Sequence, residues 1–476
     1  MSFRSITRNF SIQAFGKILS VLIGLVSVGI LTRALGVEAF GEYTTAITFL
    51  QLFGVIVDLG LTLTLVVMIS EAGADEKSLV GNLLSLRMLS ALVLFGLAPI
   101  IVLGLPWSNT VILGVAVGAI GYFFMSGASL LVGVFQKHQA MWRSSLAELL
   151  SRIIMLGLIA WFAYLGFGVV AMIAIMIIVN ILWFVAMIWF AKPFVKIRPR
   201  FELAVFKNAI SRSWPIAISI FFNLLYLKGD ILFLAYFREQ SEVGLYGLSY
   251  KIIDVLTALP TMFMGLVLPG LVVAWSISNR ENFRHQLNTT FDIFMIIAIP
   301  VIVGAQVVSE PLIRLIAGDG FEESAAVMKL LIIAVVGVFW GTLYGHAVLA
   351  VKKQRVMVWG YLATAVVAIA GYLIFIPTYG MWAAAWVTIV SELMIAVLTF
   401  IVVYKATKML PGLATAAKAL LASGVMYVIL LKLPENWNVI INILIGAVVY
   451  FIFMLIVRGI KTQNLANLSQ IVNKKS

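Results

Sequence analysis

A window of about 19 residues, the length that carries a helix across a ~30 Å hydrocarbon layer, picks out fourteen apolar stretches along the chain. They lie near 11–32, 41–68, 80–104, 110–135, 146–165, 168–191, 212–236, 243–270, 288–308, 326–350, 356–376, 381–404, 413–431 and 438–458. The predicted fold class is therefore all-α integral membrane, with about 14 transmembrane helices. The eighth stretch is long and holds Pro260 and Pro269, and the ninth contains Asp292 and Pro300. The first is too long for a signal peptide and lacks a small-residue cleavage site before the next span, so it is expected to remain as a span.

Polar positions within these spans fall on stripes. At 100° per residue, Gln13, Lys17, Ser20, Gly24 and Ser27 share one narrow stripe, as do Thr44, Gln51, Asp58 and Thr62 in the second span. The seventh span does the same with Arg212, Pro215, Ser219, Asn223, Tyr226 and Asp230, and the eighth with Tyr246, Tyr250 and Asp254. Polar groups are costly in hydrocarbon and normally face the bundle interior or a water-filled cavity. The stripes predict such a cavity, against the plainer reading that small and polar residues serve helix packing.

Short signatures recur about 203 to 215 positions apart. Val37-Glu38-Ala39-Phe40-Gly41-Glu42-Tyr43 opens the second span and Ser241-Glu242-Val243-Gly244-Leu245-Tyr246 the eighth. Lys137-His138-Gln139 follows the fourth and Lys352-Lys353-Gln354 the tenth, while Gly166-Phe167-Gly168-Val169 opens the sixth and Gly380-Met381-Trp382-Ala383 the twelfth. A six-span unit repeated in the same orientation predicts two pseudo-symmetric six-helix lobes plus two C-terminal helices. The expected divisions are 1–195 (helices 1–6), 196–405 (helices 7–12) and 406–476 (helices 13 and 14 with a tail), with the basic, Pro-containing segment 192–210 as linker.

Composition removes the soluble alternatives: 63% of the 476 residues are hydrophobic and only 11% charged, too few to cover a water-facing surface. Cysteine is absent, which excludes disulfides and thiolate chemistry. His138, His285 and His346 show no metal-ligand spacing, so no metal site is expected. Of 33 Lys and Arg, 23 fall on the side of the N-terminus, five on the other side and five within spans. Positive residues are retained inside, so both termini are expected in the cytoplasm. The net charge of +13 then reflects basic loops facing an anionic leaflet rather than nucleic acid.

The five intramembrane cations, Lys17, Arg87, Arg152, Lys228 and Lys251, suit an anionic substrate better than a cationic drug. Each has a local alternative. Arg152 stands one turn after Glu148, an i, i+4 pair; Arg87, near its helix end, can snorkel; Lys251 and Asp254 can neutralise each other; Lys228 and Asp230 lie on opposite sides of an ideal helix. Lys17 has no acid one turn away. Asn223 and Tyr226 complete the candidate substrate-binding set. Asp58, Asp230, Asp254 and Glu392 are the acids placed deepest, and a carboxylate whose proton affinity answers to burial and nearby cations is a candidate for proton or sodium coupling. Asp58 stands out because its stripe-mates Gln51 and Thr62 offer no cation.

Arg33-Ala34-Leu35-Gly36-Val37-Glu38-Ala39-Phe40-Gly41-Glu42-Tyr43, followed by Asp58-Leu59-Gly60-Leu61, resembles the amino-terminal signature of Wzx-type polysaccharide flippases, in the multidrug/oligosaccharidyl-lipid/polysaccharide exporter superfamily. Lys228-Gly229-Asp230, Glu242-Val243-Gly244-Leu245-Tyr246 with Lys251, Gly320-Phe321 with Ser324, and Ile376-Pro377-Thr378-Tyr379-Gly380 up to Ser391-Glu392 extend the likeness over roughly residues 5–405. The resemblance implies a flippase of the cytoplasmic membrane that carries polyprenyl-pyrophosphate-linked oligosaccharide to the outer leaflet by alternating access, for surface polysaccharide biosynthesis. It implies no catalytic residue, cofactor or metal, and as partners the bilayer, a polysaccharide polymerase and other assembly proteins. The family's cationic cavity maps by position and charge onto Lys17, Arg87, Arg152, Lys228 and Lys251, and helices 13 and 14 would offer a groove for the polyprenyl tail.

Two other classes compete. A multidrug or metabolite antiporter of the same superfamily shares the duplication but favours acidic cavity residues. A membrane glycolipid polymerase or ligase needs a long outer loop with catalytic groups, whereas the largest here, about 309–325, offers Glu310, Asp319, Glu322 and Glu323 without a histidine.

Overall fold

A computed structural model describes residues 3–58, 60–434 and 437–459, with side chains for all of these except 3–15, 17, 18, 215, 216, 218, 219 and 223–225. Every regular element among the described residues is a helix: α1 (Phe3–Asp58), α2 (Leu61–Ser70), α3 (Glu76–Val102), α4 (Asn109–Lys137), α5 (Met141–Tyr164), α6 (Val169–Ala191), α7 (Leu203–Phe237), α8 (Gln240–Ser276), α9 (Arg280–Ala317), α10 (Glu322–Leu331), α11 (Ala334–Ala350), α12 (Gln354–Thr407), α13 (Ala414–Leu430) and α14 (Val439–Ile456). Among the described residues, nine helices are long and apolar enough to cross a membrane, or ten when α10 and α11, bent by 41° at their junction, count as one. In hydrocarbon a helix satisfies its own backbone, which is why the continuous apolar runs adopt this form. Leu92, Ile100, Trp189, Leu421 and Ile452 lie exposed, an outward apolar surface suited to lipid.

Helix ends follow the sequence. Asp75, Ser108, Asn279 and Asn438 each cap the helix they precede by accepting a backbone N–H. Two long helices turn at glycine: α1 is kinked at Gly36 (φ 76°) and α12 at Gly380 (φ 54°), where left-handed φ excludes most side chains.

The chain forms two compact units, residues 1–247 and 248–476. In the first, Leu65, Val80, Leu131, Val134, Phe135 and Ala147 belong to one buried cluster. Residues 192–202 run between α6 and α7 as a strap held on α3. Gly81 leaves room for it, since a Cβ there would lie 2.2 Å from the Arg198 carbonyl oxygen. The Arg200 N–H donates to Ser85 Oγ (3.2 Å), the Glu202 N–H to Asn82 Oδ1 (2.7 Å), and Asn82 Nδ2 and Ser78 Oγ both donate to Glu202 Oε1 at 3.1 Å. Arg212 of α7 pairs with Glu71 after α2.

In the second unit α13 and α14 pack on α9, tied by Tyr450 Oη donating to the Ile296 carbonyl at 2.9 Å. An aromatic group of Phe291, Trp340, Tyr344, Phe400 and Tyr404 joins α9, α11 and α12.

Candidate functional site

The break between α1 and α2 builds the first polar centre. α1 ends at Asp58, and Gly60 (φ 70°) turns the chain so that its N–H donates to Asp58 Oδ2 at 3.1 Å, while Thr62 Oγ1 donates to Oδ1 at 2.7 Å. Arg87 of α3 reaches the same oxygen, Nη1 to Oδ1 at 2.7 Å. Its Nε donates to Ser126 of α4, 2.6 Å to Oγ and 3.3 Å to the carbonyl oxygen. Arg87 is 3% exposed, whereas the Asp58 side chain is 26% exposed. One expectation is corrected: Asp58 does have a cation, supplied by another helix that its own stripe does not reveal. The alternative in which Arg87 snorkels does not hold either, because this carboxylate and hydroxyl keep it inside.

A second centre is Arg152, half-buried on α5. It does not pair with Glu148 one turn away; among the described residues no carboxylate comes within ion-pair distance and the guanidinium donates no hydrogen bond to another side chain or carbonyl. It lies within electrostatic reach of Tyr43 and Tyr122. The Tyr122 hydroxyl donates weakly to the Ile47 carbonyl at 3.4 Å. A guanidinium in this setting keeps its fork of donors open for a planar or tetrahedral oxyanion.

A third centre joins α7 to the start of α8. Asp230 is fully buried; Tyr246 Oη donates to Oδ2 at 2.6 Å and the Ile231 N–H to Oδ1 at 2.8 Å. Tyr226 is buried on α7, Lys228 is partly buried there, and Lys251 and Asp254 are partly buried further along α8. Glu392, in the second half of α12, is buried where that helix crosses α11, and a Cβ on Gly337 would lie 3.1 Å from its Cβ. The side chains of Lys17 and Asn223 lie outside the described residues. The hydroxyl of Ser126, which holds Arg87 in the first centre, carries no mark in the sequence beyond being polar in a span.

A family model described as polysaccharide biosynthesis protein matches residues 30–326. The chain belongs to that family. No curated protein gives a significant match. Among solved structures, the lipid II flippase MurJ in an inward closed conformation is similar with a TM-score of 0.76 at 17% identity, over 94% of this chain and 98% of the other. An inward-facing multidrug resistance transporter of the MATE family and MOP superfamily gives 0.63 at 14%, over 82% and 94%. The MATE multidrug transporter DinF-BH gives 0.63 at 14%, over 86% and 97%. At these identities the likeness shows a shared fold, so this member of the polysaccharide biosynthesis family is a multi-pass helical membrane protein with a MurJ- and MATE-like fold.

Proposed function

We propose that the protein is a flippase that carries polyprenyl-pyrophosphate-linked oligosaccharide across the cytoplasmic membrane by alternating access. The observation that carries this reading is Arg152, an intramembrane guanidinium without a carboxylate among the described residues, in a family whose members act in polysaccharide biosynthesis. A cation left unpaired in low dielectric is costly, and a pyrophosphate passing through supplies the missing anion. One such charge-assisted contact contributes about 1.5–3 kcal/mol, roughly 10- to 100-fold in affinity. Lys17, Lys228, Lys251, Asn223 and Tyr226 are further candidates along the same path.

A reading of fourteen spans is compatible with the helices. The spans are counted by dividing α1 at Gly36 and α12 at Gly380, joining α2 to the end of α1, and taking α10 with α11 as one. The 23 to 5 distribution of loop cations supports cytoplasmic termini, and the recurring signatures support two six-helix lobes with α13 and α14 appended. Coupling through Asp58 works by exchange: a proton or sodium ion reaching the exposed side of this carboxylate displaces Arg87, which makes the pair responsive to a gradient. Asp230, Asp254 and Glu392 are the remaining coupling candidates.

The test is a strain lacking the gene, complemented with Arg152→Ala or Arg152→Lys. The alanine variant inserts normally yet leaves lipid-linked oligosaccharide on the cytoplasmic face, and lysine restores part of the surface polysaccharide. Full surface polysaccharide with Arg152→Ala contradicts the role of Arg152.

A further inference from the structure

The repeated signature carries a feature that charge and polarity do not explain. Gly41-Glu42-Tyr43 and Gly244-Leu245-Tyr246 are counterparts in the two copies, and the structure brings the two glycines against each other. A Cβ on Gly41 would lie 1.8 Å from the carbonyl oxygen of Gln240 and 3.0 Å from Gly244 N. A Cβ on Gly244 would lie 2.1 Å from the carbonyl oxygen of Val37 and 3.2 Å from Gly41 N. Each glycine thus faces the carbonyl four residues before its counterpart, a reciprocal contact of the kind a local twofold axis produces. Neither glycine has a left-handed φ, so closeness of approach and not backbone conformation excludes a side chain here.

Neighbouring groups hold the contact together. Thr45 Oγ1 donates to Gln240 Oε1 at 2.7 Å, and Thr44 packs so closely on Gly247 that a Cβ there would come 2.8 Å from its Cγ2. Trp107 Nε1, before α4, donates to the Ala235 carbonyl at 2.9 Å near the end of α7, and Ser108 Oγ donates to Glu42 at 2.5 Å. On the expected topology all of these lie at the outer ends of their helices. Small residues permit close backbone packing in membranes, but a reciprocal pair at matching positions of a duplication is a contact between the repeats themselves.

We infer that Gly41 and Gly244 form an outer latch, seated when the outer end of the path is shut and parted when it opens. The inference rests on the alternating-access reading above. Alanine at either glycine meets backbone rather than a movable side chain, so the latch cannot seat and the protein is held with its outer end open.

The natural absence of cysteine makes the test direct. Thr44, 2% exposed, is replaced by cysteine in whole cells and treated with a membrane-impermeant maleimide. Gly41→Ala or Gly244→Ala is expected to raise its labelling rate from outside at least tenfold, while Gly96→Ala, where a Cβ meets nothing within 4 Å, leaves it unchanged. Equal labelling in all three backgrounds overturns the latch. A second measurement keeps both glycines: Thr45→Cys with Gln240→Cys, oxidised to a disulfide, is expected to leave a cysteine at position 44 protected from external maleimide, and reduction is expected to restore its slow basal labelling. Labelling that is as fast in the oxidised as in the reduced protein contradicts the latch even if the alanine variants do not fold. Neither readout uses the oligosaccharide, so failure of the latch and failure of the flippase reading are separable.

Discussion

Asp58→Asn keeps the size and acceptor oxygen of the side chain but removes its charge, leaving Arg87, 3% exposed, as a buried cation without a counter-charge. Breaking a buried pair from one side costs about 3–5 kcal/mol. The 26% exposure of the Asp58 side chain admits some solvent relief, so the lower end, about 3 kcal/mol, is expected. Over a unit of 247 residues this corresponds to a fall of roughly 6 °C in Tm, at about 2 °C per kcal/mol. Arg87→Met leaves the more exposed partner unpaired and is expected to cost about half as much. The double variant Asp58→Asn/Arg87→Met removes both charges, and its loss is expected to fall short of the sum of the single losses by about 2 kcal/mol. Thermal unfolding in detergent, followed by tryptophan fluorescence, measures all four proteins. Additive losses, or an unchanged Tm in Asp58→Asn, refute the reasoning and leave the 2.7 Å contact without energetic weight.

The strap makes a separate prediction, since Gly81→Ala places a methyl 2.2 Å from the Arg198 carbonyl and is expected to raise tryptic cleavage after Arg200 several-fold; Arg198 is shielded by Pro199. Unchanged digestion means the strap yields without detaching. Hydrogen bonds from Asn82 and Ser78, with help from Arg200, hold the Glu202 carboxyl below its ordinary value of 4.5. A lowered carboxylate pKa contributes stability above the unfolded value and loses it as pH falls through the folded one. The stability that Glu202 contributes, followed by thermal unfolding in detergent, is therefore expected to be flat with pH above about 5 and to be lost only below 4.5, a loss that Glu202→Gln abolishes. For topology, cysteine at Asp319 is expected to react with impermeant maleimide from outside and cysteine at Lys353 only after permeabilisation, whereas the reverse pattern contradicts cytoplasmic termini.

Much of the architecture is legible in the sequence because hydrophobicity acts locally: an apolar run of some 20 residues has few alternatives to a helix in a membrane. The divisions at Gly36 and Gly380 are likewise readable, falling between expected spans where glycine permits positive φ. What the sequence conceals is contact between helices. A helical wheel places Asp58 beside Gln51 and Thr62 but has no view of Arg87, 29 residues away on α3. The same wheel offers Glu148 to Arg152, yet an i, i+4 pair contributes only about 0.2–0.5 kcal/mol, and Glu148 is engaged elsewhere. The sequence does mark Gly41 and Gly244 as counterparts, and only the fold reveals that the counterparts touch.

The central claim is tested most directly by reconstituting the purified protein in liposomes with a fluorescently tagged polyprenyl-pyrophosphate-linked oligosaccharide, and following access of an impermeant quencher to the inner-leaflet pool. The account predicts that wild-type protein exposes this pool, that Arg152→Ala slows exposure at least tenfold, and that Arg152→Lys falls between them. Exposure no faster than in protein-free liposomes, or equal rates for wild type and Arg152→Ala, would contradict it.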